Sequence, residues 1–387
     1  MFISDFNCEW MTNPFFNNSM KIRDTETLEK IIGNGIHEVY IDSDKGLDVA
    51  GAPTKEEVDN NINTEIYNVS DLPVEQSLKT SLEEEIVRAR KIRDESKETV
   101  KNIMNDIRFG KQIKTDQAEY VVERIIESIY SNENALLSLT RIRHADEYTY
   151  MHSVSVCALI TAFCRHLNFD IKSLKEVGVG AILHDIGKMK VSQEILNKKN
   201  SLSDVEYEKM KDHVKYTRAI LEETQDIANA SLLLAYQHHE RMDGSGYPNG
   251  LKGEEISLYG KLSAIIDVYD AMTTDRCYRR RRQPTEVLKK LYEWSKYYFD
   301  SKLAQQFIRC VGIYPVGSLV NLESGYLAVV LSHSDKSLMQ PLVRIVYNAR
   351  KRSHVDIYDV DLATSDIDRV INYASPDIWN IQPEMYL

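Results

Sequence analysis

The hydrophobic pattern changes character twice along the chain. Up to about residue 50, short β-like runs alternate with turn residues, and HEVYIDSDKG, from His37, reads as a buried strand entering a polar turn. Residues 51–75 are polar and acidic with few large apolar groups, the pattern of a mobile linker. From Gln76 to Gly110 apolar positions recur with helical spacing at Leu78, Leu82, Ile86, Ala89, Ile92 and from Ile103 to Ile107, among many Lys and Glu. This predicts a connecting or dimer-forming helix with no catalytic character.

Helical periodicity then dominates. DQAEYVVERIIESIY, from Asp116, shows an apolar face of Val121, Val122, Ile125, Ile126 and Ile129, and a long apolar helix follows with His152 near its start. SLKEVGVGAILHDIGKM puts His184 and Asp185 at the end of another apolar helix. A third helix carries His213, a fourth ends in His238 and His239, and a fifth holds Asp267 on its apolar side with Asp270 one turn later. After about residue 310 short β-branched runs separated by Asn, Gly and Ser turns predict a small antiparallel β appendage. The expected fold is mainly α: a small α/β N-terminal domain with its linker (1–75), a connecting helix (76–115), an all-helical module (116–310) and a β-rich extension (311–387).

A net charge of −11 argues against a general binder of DNA or RNA duplexes, so an anionic ligand has to meet a local basic patch. One such run holds Arg276 and Arg279 to Arg282, which taken alone also fits a solvated helix start. The five cysteines form neither a CxxC pair nor a secreted-type framework, a usage that fits a reducing cytoplasm. No apolar run reaches the roughly 18 residues that cross a bilayer, so a soluble, cytoplasmic chain without membrane insertion is expected.

The chemistry concentrates in HHERMDGSGYP, His238 to Pro248, where two histidines and an acid precede a turn suited to glycine. With ILHDIGKMK upstream and IIDVYDAMTTDRCYRR downstream, five of the ten histidines fall on apolar-rich helices, where unpaired polar groups are costly and shared metal ligation removes the cost. His152, His184, Asp185, His213, His238, His239 and Asp267 supply five imidazoles and two carboxylates, too many for one divalent ion and suited to two with a bridging carboxylate. Mixed nitrogen and oxygen ligation without thiolate favours iron or manganese, with nickel or zinc as alternatives.

These motifs, in this order, resemble those of the HD-GYP subgroup of HD-domain metal-dependent phosphohydrolases, named for the His184-Asp185 pair and the Gly246-Tyr247-Pro248 triplet. The resemblance covers roughly residues 116–310. It implies that His152, His184, Asp185 and Asp267 hold one ion, and that a bridging Asp185 with His213, His238 and His239 holds the other. Some members hold a third ion through a glutamate one turn before the first histidine. Here that position is Tyr148, with Asp146 and Glu147 out of phase, so two ions are expected. MFISDFNCEWMTNPFF to IDSDKGLDV is similar to the small domain of unknown function that often precedes such modules, with Met1 partway into it, and YPVGSLVNL and PDIWNI are similar to tails that accompany that domain.

The implied activity is hydrolysis of 3′,5′-linked cyclic dinucleotides by a dimetal-activated hydroxide, to the linear dinucleotide or on to mononucleotides. His184, Asp185 and Lys188 are the implied catalytic set. The usual substrate of the family is cyclic di-GMP, and some members with this N-terminal domain take 3′,3′-cGAMP. Lys188 can meet a non-bridging phosphate oxygen, and Arg276 and Arg279 can clamp a phosphate. Asp270 either orients a ligand or the attacking water, or only stabilises its helix. The loop of Glu240, Asp243, Gly244, Gly246, Tyr247 and Pro248 either shapes the pocket wall or touches substrate or a signalling protein partner. Cys277 stands where many members have proline. Two other readings compete: a cyclic dinucleotide receptor without turnover, and an HD phosphohydrolase for other nucleotides.

Overall fold

The computed structural model describes the chain except residues 9–12, 14, 16, 71–78, 141–147, 199–201, 275–280, 335–336 and 365–367. Gln76, Leu78, Asp146, Glu147, Arg276, Cys277 and Arg279 lie outside the described residues.

The N-terminal unit pairs β1 (Phe2–Asp5) antiparallel with β2 (Met20–Lys21) on one side and, beyond α1 (Thr25–Gly33), with β3 (Tyr40–Ile41) on the other. Asp24 caps α1 by accepting from Thr27 N at 2.8 Å, and Ile3, Phe6, Ile31 and Ile36 form a small core of their own. The strand expected from His37 begins only at Tyr40. His37 and Glu38 instead turn outward to a neighbouring loop and to Tyr297, whose hydroxyl donates to Glu38 at 3.0 Å.

The linker expected over 51–75 is corrected by α2 (Lys55–Ser70). Thr54 and Glu57 cap its start reciprocally, and Ile62 and Ile66, one turn apart, are buried against later helices. Two buried residues on an otherwise acidic helix make too narrow a stripe to register as periodicity.

Next come α3 (Leu82–Arg108) and α4 (Thr115–Thr140), packed along each other. The Ile86, Ala89, Ile92, Ile103, Ile107 stripe of α3 is covered by α4 and by α5 (Tyr148–His166), so it is already used inside the chain and is no free dimer face. A buried bond from Ser128 Oγ to Glu85, 2.7 Å, ties α3 to α4.

The module continues with α6 (Ile171–Leu183), α7 (Gln193–Leu196), α8 (Asp204–Glu222), α9 (Asn229–Gln237), α10 (Leu258–Thr273), α11 (Pro284–Trp294) and α12 (Ser301–Val311). Helix α10 is buried on every side from Gly260 to Thr273 and packs on α5, α9, α11 and α12. The C-terminal β appendage is a five-stranded antiparallel sheet formed by β4 (Leu319–Leu322), β5 (Tyr326–Ser332), β6 (Leu342–Asn348), β7 (Ser353–Asp361) and β8 (Val370–Tyr373), in the order β7-β6-β5-β4-β8, followed by α13 (Pro376–Trp379). Among the described residues no helix is long and apolar enough to cross a membrane.

If α2 is a packed element, Ile66→Ala removes a buried side chain and lowers unfolding stability by about 2–4 kcal/mol, read from the urea midpoint. A solvated linker would leave the midpoint unchanged.

Candidate metal centre

Helix ends and one buried helix bring the donors together. Helix α6 stops at Leu183, so His184 and Asp185 occupy its exit before a short 3₁₀ turn, Ile186–Lys190. Helix α9 likewise delivers His238 and His239 as it ends. His152, His213 and Asp267 project from α5, α8 and α10, and all seven residues are buried. The His-Asp turn lies so close to α8 that a Cβ on Gly187 would stand 2.0 Å from the His213 carbonyl oxygen. Only glycine allows that approach.

The imidazoles are oriented by their own helices. Nδ1 of His184, His213 and His238 donates to the carbonyl three residues earlier, on Ala181 (2.7 Å), Met210 (2.6 Å) and Ala235 (2.8 Å). That fixes the tautomer and leaves each Nε2 lone pair facing inward. Asp185 turns one oxygen to each half of the cluster. Its Oδ2 lies 3.6 Å and 3.4 Å from Nε2 of His152 and His184, and its Oδ1 lies 3.3 Å and 3.8 Å from Nε2 of His213 and His238. Asp267 spans the cluster too, with Oδ1 at 3.0 Å from His152 Nε2 and Oδ2 at 3.8 Å from His239 Nδ1.

Two compact donor sets result: His152, His184 and Asp185 in one, His213, His238 and His239 in the other. Nε2 of His184, His213 and His238, Nδ1 of His239 and Oδ1 of Asp185 are buried without a hydrogen-bond partner. At about 1–3 kcal/mol for each bare polar atom, five of them cost about as much as a domain's whole net stability, on the order of 5–15 kcal/mol. Lone pairs aimed at one another with no donor between them fit cations. The residues present therefore suit a divalent metal centre.

The electrostatics agree. Burial and the neighbouring His184 hold His238 down to about 3, and burial with His238 beside it holds His239 well below the usual imidazole range, so both rings stay neutral, as metal ligation requires. Burial opposes ionisation of Asp185, but Lys188 and His184 outweigh it and keep the carboxylate charged. The same contest at Asp267 is decided by His152.

Asp270 faces His152 and Ser155. Its Oδ2 lies 2.6 Å from His152 Nδ1, and its Oδ1 accepts from Ser155 Oγ at 2.6 Å. Of the readings left open above, these contacts fit that of a group orienting an expected ligand, behind His152. Lys188 Nζ pairs with Asp185 Oδ2 and keeps partial exposure. Among the expected basic residues, Arg281, which is described, reaches Asp377 at 3.6 Å.

The Gly-Tyr-Pro loop packs directly on the donor cluster. Tyr247 lies on the His239 ring, with centroids 4.6 Å apart and planes 28° apart, and Tyr247 N donates to His239 O at 3.1 Å. Gly246 sits where a Cβ would be 2.4 Å from Arg241 N. The buried Glu240 carboxylate closes the loop by accepting from Asn249 N (2.8 Å) and Leu251 N (3.0 Å).

Four contributors escaped the sequence reading. Thr217 Oγ1 donates to His184 O (3.1 Å) and accepts from Gly187 N (2.9 Å), fastening the His-Asp turn to α8. Ser155 supports Asp270, and buried Arg241 donates to Glu240 O at 2.9 Å. Lys211 Nζ lies 5.6 Å from the Tyr247 ring centroid, at the rim of the site. Helical spacing could have flagged Thr217, one turn beyond His213, and Ser155, three residues beyond His152; nothing local marks Arg241 or Lys211.

Donor chemistry and helical scaffold together define a buried centre suited to divalent metal, built on helix ends and helix faces. A profile described as HD domain matches residues 121–303, and one described as a domain of unknown function (DUF3391) matches residues 1–118. A cyclic di-GMP phosphodiesterase of Pseudomonas aeruginosa is 36% identical over 99% of this chain and 91% of its own length. A 3′3′-cGAMP-specific phosphodiesterase of Vibrio cholerae is 33% identical over 40% of this chain and 36% of its own. Among solved structures, an HDG"Y"P protein from Bdellovibrio bacteriovorus covers 76% of this chain and 88% of its own at 17% identity, with a TM-score of 0.49. The chain belongs to the HD-GYP family, in the form that carries the DUF3391 domain ahead of the HD module.

Because Asp270 holds His152 in register, Asp270→Asn is expected to weaken divalent metal binding about 10- to 100-fold in a direct titration of stripped protein, with the fold retained.

Proposed function

We propose that this chain is a phosphodiesterase that opens 3′,5′-linked cyclic dinucleotides, with cyclic di-GMP as the favoured substrate. The observation that carries the reading is the set of five bare, buried donor atoms, Oδ1 of Asp185 and four imidazole nitrogens, with Lys188 beside that carboxylate. A relative named for cyclic di-GMP hydrolysis, similar over nearly the full length of both chains, supports the choice of substrate. Partial relatives named for 3′3′-cGAMP keep that dinucleotide as the second candidate.

Two divalent ions, iron or manganese in first place, suit the donor set: His152, His184, Asp185 and Asp267 would hold one, and Asp185 with His213, His238 and His239 the other. When bound, they supply a nucleophile from water near neutral pH and neutralise charge on phosphoryl oxygens. The protein's own residues do the rest. Asp185 stays ionised under burial because Lys188 is beside it, and Lys188, partly exposed, is the cation to meet a non-bridging phosphate oxygen. Asp270 keeps His152 from rotating. Tyr247, flat on His239, walls the site on one side, and Lys211, paired with Glu208 at 2.7 Å, lies over the Tyr247 ring. Arg276 and Arg279 are assigned to a phosphate clamp on their motif position alone.

A receptor without turnover is disfavoured by the complete donor set and Lys188. Cytoplasmic location and signalling partners at the loop belong to the same reading and rest on composition and on the family.

Purified protein loaded with manganese or iron should linearise cyclic di-GMP, with 3′,3′-cGAMP and cyclic di-AMP assayed beside it, while the His184→Ala/Asp185→Ala variant stays at background. Wild-type turnover no greater than that variant's would overturn the enzyme reading. Metal analysis of unstripped protein should give about two ions per chain, given Tyr148 in the place of the glutamate used for a third; a value near three would overturn that assignment.

A further inference from the structure

The N-terminal unit touches the catalytic module at a telling place. The turn after α1 lies on Asp243 and Ser245, just ahead of Gly246 and Tyr247. His37 Nε2 donates to Asp243 Oδ2 at 2.8 Å, and its ring stacks on Tyr297 with centroids 4.4 Å apart and planes 13° apart. The other oxygen of Asp243 accepts from Ser245 N (2.9 Å) and Ser245 Oγ (2.7 Å). One carboxylate thus both shapes the loop and receives the N-terminal unit.

Two further features confine the contact. Tyr298 hydroxyl donates to Gly35 O at 2.7 Å while Tyr298 O accepts from Met242 N at 3.0 Å, so a single residue holds the turn and the loop together. Gly35 has φ +70°, and a Cβ there would stand 2.4 Å from Ser245 Cβ, an approach that only glycine permits. Nearby, the unit is anchored through Asn7, whose side chain donates to Glu293 at 2.7 Å and accepts from Lys290 at 2.7 Å, while Trp294 Nε1 donates to the Asn7 carbonyl at 2.9 Å. The anchor and the loop contact share the α11 exit, residues 293–298, as their base. Only Gly246 separates Ser245 from Tyr247, which lies on the His239 ring.

We propose that the N-terminal domain is a working part of the active site: through His37 it positions the signature loop, and so the Tyr247 wall of the substrate pocket. His37 is a positioning residue that acts through Asp243. The proposal rests on the phosphodiesterase reading for its kinetic consequence. Its structural consequence is independent of that reading.

The experiment uses the full chain, metal-loaded, and reads both steady-state hydrolysis of cyclic di-GMP and amide hydrogen exchange. For His37→Ala the expected result is a KM raised about three- to tenfold, with kcat changed less than about twofold, the size of losing one half-exposed charge-assisted hydrogen bond. Exchange of the amides from Ser245 to Leu251 should quicken while the rest of the chain keeps its protection. His37→Gln, which keeps an N–H donor, should restore most of both. Lys30→Ala, which removes an exposed contact of the same domain with Asp204 away from the loop, should match wild type.

The proposal is overturned if His37→Ala matches Lys30→Ala in KM and in loop exchange. It is also overturned if exchange quickens throughout the chain, kcat falls and Gln rescues nothing, since that pattern marks a purely structural contact. A wild-type protein inert towards cyclic dinucleotides would instead sink the substrate reading, and the loop exchange, which needs no substrate, would still decide the role of His37.

Discussion

A carboxylate that stays charged inside a helical core is the constraint around which this molecule is arranged. Asp185 is buried, yet its environment keeps it ionised, with Lys188 on one side and imidazoles facing each of its oxygens. Burial of a charge costs several kcal/mol unless partners surround it. Much of the module serves that requirement. Two helices end where their last residues can turn inward, Gly187 lets the turn close against α8, and Thr217 fastens it there. The carbonyls of Ala181, Met210 and Ala235 select one tautomer for three rings, so that their Nε2 atoms join His239 Nδ1 and Asp185 Oδ1 as buried atoms without hydrogen-bond partners.

Outside the donors, a second set of contacts limits how far those side chains can move. The Ser155, Asp270, His152 relay runs between α5 and α10, two helices that share a buried interface. Glu240 and Arg241 hold the loop that follows His239, and Tyr247 returns onto that ring. The N-terminal unit touches the far end of the same loop. A continuous series of contacts therefore joins a domain at the start of the chain to the expected ligand His239, some two hundred residues later.

The helical periodicity of the module was legible because each helix buries one face, or, for α10, its whole circumference. Residue type was legible too: imidazoles and carboxylates on apolar helices have few roles besides ligation, and all seven expected ligands meet in one cluster. Less legible was α2, whose two buried isoleucines disappear among acidic neighbours. The strand expected from His37 shrank because the polar residues at its start have partners far off in sequence. Asp270 was left undecided between two roles, and only the position of His152 Nδ1 decides between them.

By itself the amino-acid order determined what is local: which segments are helical, where apolar faces lie, which side chains have lone pairs for a cation, and where glycine frees the backbone. The tertiary structure decided which oxygen of Asp185 meets which imidazole, that Asp270 stands behind His152, and that His37 reaches the loop at Asp243. The physical reason is the range of the interactions. Periodicity and residue chemistry are written within a few neighbouring positions, whereas a hydrogen bond or a bridging carboxylate depends on tenths of an ångström between groups whose separation along the chain carries no information.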